Sequence, residues 1–133
     1  IKAERHRADA DLAQRDQVLH RFLDACEGGD IDAFLTLLTE DAELIVDGGA
    51  HVRTAARHPI RGAERVARFL AFVMTRLADG GRVAPVSLNG GPAALVTSGT
   101  GEIIGAVFVE PGADGNAAEI RWVRNPSKLA TLH

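Results

Sequence analysis

Apolar residues recur at helical spacing in three segments of the chain, each bounded by residues that start or stop helices. Gly28 and Gly29 end the first segment as a helix C-cap does, and Asp30 is a suitable N-cap for the second. The third follows a loop at residues 58–62. The spacing predicts three amphipathic helices. Their apolar faces comprise Leu12, Leu19, Phe22, Leu23 and Cys26; then Ile31, Phe34, Leu35 and Leu38; and lastly Val66, Phe69, Leu70, Val73 and Leu77.

Strand patterns fill much of the rest of the chain. Strands are predicted over residues 42–46, 50–55, 82–88, 93–98, 102–110 and 117–123, with turn chemistry between them. Asp47-Gly48-Gly49 is a hairpin signal between the first two strands, and residues 39–41 are expected to interrupt the pattern after the second helix. Because the helices and strands are segregated, the predicted class is α+β: a cone-shaped, bent β-sheet, mixed or antiparallel, wrapped around three helices.

The apolar faces also predict which side chains are buried. These are Phe22, Phe34, Phe69, Leu70, Val73, Phe108, Ile120 and Trp122. A cone of this kind leaves a pocket between helices and sheet. Phe69, Val73, Phe108 and Trp122 are the candidates to line it, although filling the core is the ordinary role of such residues.

Composition narrows the class of protein. A chain of 133 residues that is 46% hydrophobic and 25% charged is about one globular domain. Its net charge of −3 argues against nucleic-acid binding by this domain alone. The apolar run at 103–109 is too short to cross a bilayer, no signal peptide is evident, and the single cysteine, Cys26, fits a reducing compartment. We therefore expect a cytoplasmic domain. Since Met74 is the only methionine and the chain starts at Ile1, we also expect coding sequence upstream.

Catalytic and cofactor patterns are weak in this sequence. There is no tyrosine, which removes a common oxyanion donor of ketosteroid-isomerase-type sites. Asp47 could act as a general base at a strand end, but Asp-Gly is also what a tight hairpin requires. His51 and His58 are candidate acid–base groups or ligands, yet no histidine pair has metal-ligand spacing. We predict no metal, no cofactor and no assembled catalytic set.

Arginines cluster between residues 53 and 68. The basic strip comprises Arg53, Arg57, Arg61, Arg65 and Arg68, with Glu64 as the one acidic residue among them. A solvated helix face is one interpretation, and a docking surface for an acidic protein or a nucleic-acid backbone is the other.

Three motifs together resemble a known family. They are Asp47-Gly48-Gly49-Ala50-His51, residues 57–62 (Arg-His-Pro-Ile-Arg-Gly), and residues 120–129, which contain Asn125-Pro126-Ser127-Lys128-Leu129. The chain resembles the C-terminal SnoaL-like (nuclear transport factor 2-like) domain of extracytoplasmic-function sigma factors. That family carries Asp-Gly-Gly-Gly-Lys in the hairpin and Asn-Pro-Asp-Lys-Leu in the tail. Here Ala50, His51 and Ser127 replace the third glycine, the lysine and the aspartate.

The resemblance implies a domain organisation and a function. Residues 1–11 would be a connector from an upstream region, 12–124 the SnoaL-like domain, and 125–133 a tail with the Asn-Pro-x-Lys-Leu motif. The domain would modulate transcription initiation by contacting the sigma regions of its own chain or the RNA polymerase core, while upstream regions bind promoter DNA. The residues expected to touch the partner are Asp47, Gly48, Gly49, His51, Asn125, Pro126, Lys128 and Leu129.

Alternatives remain open at this point. The chain could be a stand-alone SnoaL-like cyclase or isomerase, or a small-molecule-binding protein. A small apolar ligand in the pocket and a homodimer of the domain are both compatible with the pattern, and no membrane association is expected.

Overall fold

A computed structural model describes residues 2–47, 59–77, 80–88 and 90–124 of the chain. Three helices and six strands are found in these ranges, in an order close to the predicted one. They are α1 (Lys2–Gly28), α2 (Ile31–Leu37), β1 (Leu38–Asp47), β2 (Ile60–Arg61), α3 (Ala63–Arg76), β3 (Arg82–Leu88), β4 (Gly91–Thr97), β5 (Ile103–Pro111) and β6 (Ala117–Val123).

The six strands form one mixed sheet in the order β2-β1-β6-β5-β4-β3. The last four strands form an antiparallel meander along the chain, as short turn-containing connections require. β1 pairs in parallel with β6, the last strand. The predicted α+β class, with three helices against a curved open sheet, is confirmed.

The first two strands differ most from the sequence prediction. β1 begins at Leu38, directly after α2, so Thr39, Glu40 and Asp41 lie within the strand rather than in a loop. Ile60 and Arg61 form a two-residue strand against Leu44 and Glu43 where a loop was predicted. Pairing with neighbouring strands, and not the side-chain pattern, sets both boundaries. The predicted strand at 50–55 lies outside the described residues.

The helix starts and connections follow from local chemistry. The Oδ1 atom of Asp30 accepts a hydrogen bond of 2.9 Å from the backbone N–H of Ala33, which caps α2 as predicted. α1 begins at Lys2 and so includes residues 2–11, the stretch predicted to be a connector. Gly62, with φ +98°, precedes α3 in a conformation that favours glycine.

All three helices pack on one face of the sheet and form a single core with it. Phe22 and Phe34 meet at a ring-centroid distance of 6.3 Å near its centre. Of the side chains predicted to be buried, five are: Phe22, Phe34, Leu70, Ile120 and Trp122. Phe69 and Val73 are half-buried against this core. Leu12, placed on the apolar face of α1 by its spacing, is instead 41% exposed.

Phe108, predicted to be buried and a candidate to line the pocket between helices and sheet, is half-buried and lies apart from the helix-side core. Val107, not Phe108, is the partner of Trp122 across β5 and β6, and Val107 belongs to the helix-side core. Successive side chains of a strand point to opposite faces, so Phe108 lies on the face away from the helices, opposite Arg121.

Candidate functional site

A groove opens where the C-terminal ends of α1 and α3 meet edge strand β3. Its volume is about 570 Å³, within the size range of small-molecule sites. The glycines that end α1 and precede β3 let the backbone close in at its rim; a Cβ on Gly81 would come within 2.6 Å of the Leu77 carbonyl oxygen. The groove is lined by Leu23, Cys26, Glu27, Gly29, Met74, Thr75, Leu77, Gly81, Val83 and Pro85.

The chemistry of this lining suits binding rather than catalysis. Burial raises the pKa of the Cys26 thiol to about 12, so the thiol stays protonated near neutral pH and is a poor nucleophile. Glu27 is the one carboxylate among the lining residues, and no histidine accompanies it. The thioether of Met74, the thiol of Cys26 and several aliphatic side chains make the wall polarisable and mostly apolar.

The residues predicted to line a pocket do not line this groove. Phe69, Val73 and Trp122 pack in or against the helix-side core, and Phe108 lies on the other face of the sheet. Leu23 and Cys26 do line it, and both belong to the first apolar face identified in the sequence. Two glycine pairs in the sequence, Gly28-Gly29 at the end of α1 and Gly80-Gly81 before β3, are the local signal that α1, α3 and β3 approach closely here.

Trp122 has an unusual environment for a core tryptophan. Its side chain is 5% exposed, and its indole N–H has no hydrogen-bond partner among the described residues. The indole lies next to Gly105, where an added Cβ would lie 3.4 Å from Nε1 and 2.7 Å from the Val123 carbonyl oxygen. The contact with the ring would be close but tolerable, whereas the collision with the Val123 carbonyl oxygen favours glycine at position 105.

The basic strip is partly neutralised by carboxylates. Arg61 pairs with Glu43 at 3.1 Å and Arg68 with Glu64 at 2.7 Å, while Arg65 is exposed on α3. Arg53 and Arg57 lie outside the described residues. Further along α3, the guanidinium of Arg76 lies 5.6 Å from the ring centre of Phe72, which is 58% exposed. Phe72 could not be singled out from the sequence, because it falls between the core positions of an otherwise regular amphipathic pattern.

The two sequence motifs begin at neighbouring strand ends. Asp47 is the last residue of β1, and its register partner in β6 is Val123. Because the two strands are parallel, the hairpin motif and the tail motif continue from the same edge of the sheet. Only Asp47 of the proposed partner-contact set is described; Gly48, Gly49, His51, Asn125, Pro126, Lys128 and Leu129 lie outside the described residues, as does His58.

The described part of the chain contains neither a metal-ligand cluster nor a membrane-spanning helix. Within it, no three histidine, cysteine, aspartate or glutamate side chains come together as ligands for a metal ion. None of the helices in these ranges is both long and apolar enough to span a membrane.

Comparison with known proteins identifies the fold. No family model and no curated protein matches the sequence. Among solved structures, the chain is similar to the extracytoplasmic-function sigma factor SigJ of Mycobacterium tuberculosis, with a TM-score of 0.60 and 22% identity over 96% of this chain. The match covers 48% of SigJ, so the chain spans about half the length of that protein.

Other similar structures consist mainly of the domain itself. A nuclear transport factor 2-like protein of unknown function from Mesorhizobium loti matches with a TM-score of 0.63 and 15% identity, over 85% of this chain and 92% of its own. A SnoaL-like family protein from Agrobacterium tumefaciens, proposed to be an isomerase, matches with 0.58 and 11%, over 84% and 97%. At these identities the likeness establishes a SnoaL-like, nuclear transport factor 2-like fold.

Proposed function

We propose that this chain is the regulatory C-terminal domain of an extracytoplasmic-function sigma factor and modulates promoter-directed transcription by contacting the sigma regions or RNA polymerase. The observation that carries the proposal is the Asn125-Pro126-x-Lys128-Leu129 motif following a SnoaL-like domain. The similarity to SigJ over nearly the whole chain supports it, because that protein combines such a fold with further sequence.

The parallel pairing of β1 and β6 gives a physical reason why the hairpin motif and the tail motif could bind the same partner. Residues of the hairpin motif and of the tail motif both follow strands that end side by side, at Asp47 and Val123. Two segments that leave one edge of a sheet can contribute to a single contact surface. Pro126 restricts the backbone at the start of the tail, so Lys128 and Leu129 would be presented in a defined direction.

The test is a pair of substitutions in the tail of the full-length protein. Replacing Lys128 and Leu129 by alanine should change transcription from the cognate promoter while leaving the thermal stability of the 133-residue domain almost unchanged. The matched control is Leu132→Ala, which removes a leucine from the same tail outside the motif and should leave transcription as it was. Normal transcription from the double variant, together with a large loss of domain stability, would show that the tail is only structural.

A second candidate function is that of a small-molecule-binding protein or a SnoaL-like isomerase. The groove favours binding, since its wall is mostly apolar, and the Agrobacterium tumefaciens neighbour is proposed to be an isomerase. Catalysis has less support, because Glu27 has no acid–base partner in the lining. A Met74→Trp variant, which would fill the groove, should abolish uptake of an apolar fluorescent probe, whereas Phe72→Trp on the exposed side of α3 should not.

A further inference from the structure

One side of α3 carries two aromatic side chains with an arginine at either end. We call this set the α3 stripe and define it by Arg65, Phe69, Phe72 and Arg76. Their spacing of four, three and four residues places them within a sector of about 60° around the helix axis. The fully buried residues of α3 lie on a different side of the helix. The stripe is therefore a continuous surface beside the core-facing side, and not a set of scattered positions.

The aromatic centre of the stripe is open to solvent. Phe72 is 58% exposed, the largest fraction for any large apolar side chain in the described ranges. Phe69, one turn earlier, is half-buried against the helix-side core. Residues three apart on a helix are neighbours, so the two rings present adjoining apolar surface. A single exposed apolar residue is common on proteins, but aromatic residues together with arginines are the composition enriched at interfaces.

Arginines lie at both ends of the stripe. The guanidinium of Arg76 is 5.6 Å from the ring centre of Phe72, a distance at which a cation and an aromatic face attract each other. Arg65 is exposed at the other end. Among the described residues no carboxylate lies within 4 Å of either arginine, whereas neighbouring Arg68 is paired with Glu64 at 2.7 Å. The two cations are about 16 Å apart along the helix.

This charge pattern decides which kind of partner fits. In an antiparallel two-fold contact between two stripes, Arg65 would meet the partner's Arg76, and in a parallel contact each arginine would meet its own copy. Like charges in contact oppose association, so a second copy does not fit. Duplex nucleic acid is disfavoured because the chain has a net charge of −3 and a phosphate backbone offers Phe72 no apolar partner. A protein surface with negative charge and apolar side chains meets both requirements.

We infer that the α3 stripe binds an acidic amphipathic helix of a partner protein, packed along α3. A helix with the same residue spacing, carrying carboxylates at the two outer positions and apolar side chains at the two inner ones, brings one carboxylate to each arginine. Its apolar side chains then cover Phe69 and Phe72. A contact of this size belongs to the transient class, below about 1,200 Å². The inference goes beyond the proposed function and does not rest on it, because the stripe shares no residue with the hairpin or tail motif.

The probe is a labelled synthetic helical peptide with glutamate, leucine, leucine and glutamate at the spacing of the stripe. Fluorescence anisotropy measures its dissociation constant with the 133-residue chain. Phe72→Ala removes the exposed ring and should raise this constant about tenfold or more, as expected for a central aromatic residue. Alanine is a strong helix former, so the variant should fold as the wild type does. Circular dichroism of the variant checks this.

A charge swap separates a specific contact from general attraction between opposite charges. The double variant Arg65→Glu with Arg76→Glu should weaken binding of the glutamate peptide about tenfold. It should in turn bind a peptide in which lysines replace both glutamates. The matched control is Arg82→Glu with Arg124→Glu, which makes the same change in net charge at two exposed arginines outside α3. This control should leave the dissociation constant of the glutamate peptide within about twofold of the wild-type value.

Several results would overturn the inference. One is a glutamate peptide that does not bind, or that is weakened as much by the control variant as by the charge swap. Another is a lysine peptide that fails to bind the charge-swapped variant. Tighter, competing binding of a single-stranded oligonucleotide would assign the stripe to nucleic acid. Self-association of the wild-type chain that Phe72→Ala removes, measured by sedimentation equilibrium, would assign it to a second copy.

Discussion

At the scale of single residues, the molecule uses small and polarisable side chains where elements approach closely. Gly105 avoids a collision with the Val123 carbonyl oxygen beside the Trp122 indole, and Cys26 lines the groove between α1 and β3. Neither residue carries charge near neutral pH, so each acts through shape and burial. Substitution of either residue should therefore change the free energy of unfolding.

Burial of the Cys26 thiol should make stability fall at high pH. The pKa rises from 9.0 to about 12 on folding, so the folded chain keeps a proton that the unfolded chain loses above pH 9. The free energy of unfolding should be at its full value below pH 9 and decline as the pH rises toward 12, by at most roughly 4 kcal/mol.

Urea unfolding at about pH 8 and about pH 10.5 measures this decline. Few other side chains change charge in this pH range, because the chain has no tyrosine and its lysines are Lys2 and Lys128. Cys26→Ala is the control and should flatten the pH dependence. An equally steep decline in that variant would assign the effect to other groups.

Gly105→Ala should destabilise the fold by about 1–3 kcal/mol, since its Cβ would lie 2.7 Å from a backbone oxygen that has little freedom to move. Gly91→Ala in neighbouring β4 is the matched control, because an added Cβ there meets nothing within 4 Å. Thermal melting measures stability, and the emission of Trp122, the lone tryptophan, reports the shift of the ring. Equal effects of the two substitutions would contradict the close-packing argument.

At the scale of elements, local signals in the sequence identified most helices and strands, and tertiary pairing set the rest. Asp30 and the glycine turns predicted the start of α2 and the strands of the meander. The start of β1 at Leu38 could not be predicted, because polar residues such as Glu40 and Asp41 give no strand pattern. Phe108 could not be assigned to one face of the sheet, because an unbroken apolar run does not indicate which side is inward.

The groove at the candidate site could not be predicted from local sequence patterns either. Apolar spacing predicted that Leu23 and Cys26 face inward, but not that they border an open groove. That depends on where edge strand β3 ends relative to α1 and α3, and no local pattern encodes it.

Asp30→Ala should lower the free energy of unfolding by about 1 kcal/mol, because it removes the acceptor that satisfies the Ala33 N–H at the start of α2. Asp30→Asn keeps an acceptor oxygen in place and should cost much less. Urea titrations of the two variants give the comparison. A loss of similar size in Asp30→Asn would point to the charge rather than the cap.

At the scale of the whole molecule, the charge distribution bears on nucleic-acid binding. The chain has 15 lysines and arginines and 18 aspartates and glutamates. Four of the arginines lie within 4 Å of a carboxylate: Arg15, Arg61, Arg68 and Arg121. The excess of acidic over basic residues disfavours phosphate contacts by this domain.

We expect the isolated domain to bind duplex DNA weakly and without sequence preference. A salt titration of binding should give a shallow dependence, consistent with few displaced counterions. Arg65→Glu removes an exposed cation of α3 and should reduce even this weak binding. Tight, sequence-selective binding at physiological salt would contradict the prediction and require a groove-reading element in the chain.

The pairing of β1 with β6 also determines when the domain can form during synthesis. β1 is complete by Asp47, yet β6, the strand that pairs with it along most of its length, is complete only at Val123. Contacts between such distant segments are slow to form, since a long loop must close first. In a ribosome-bound chain that lacks β6, the two-residue strand β2 is the one described strand left to pair with β1, so we expect the sheet to be completed only after Val123 has left the exit tunnel.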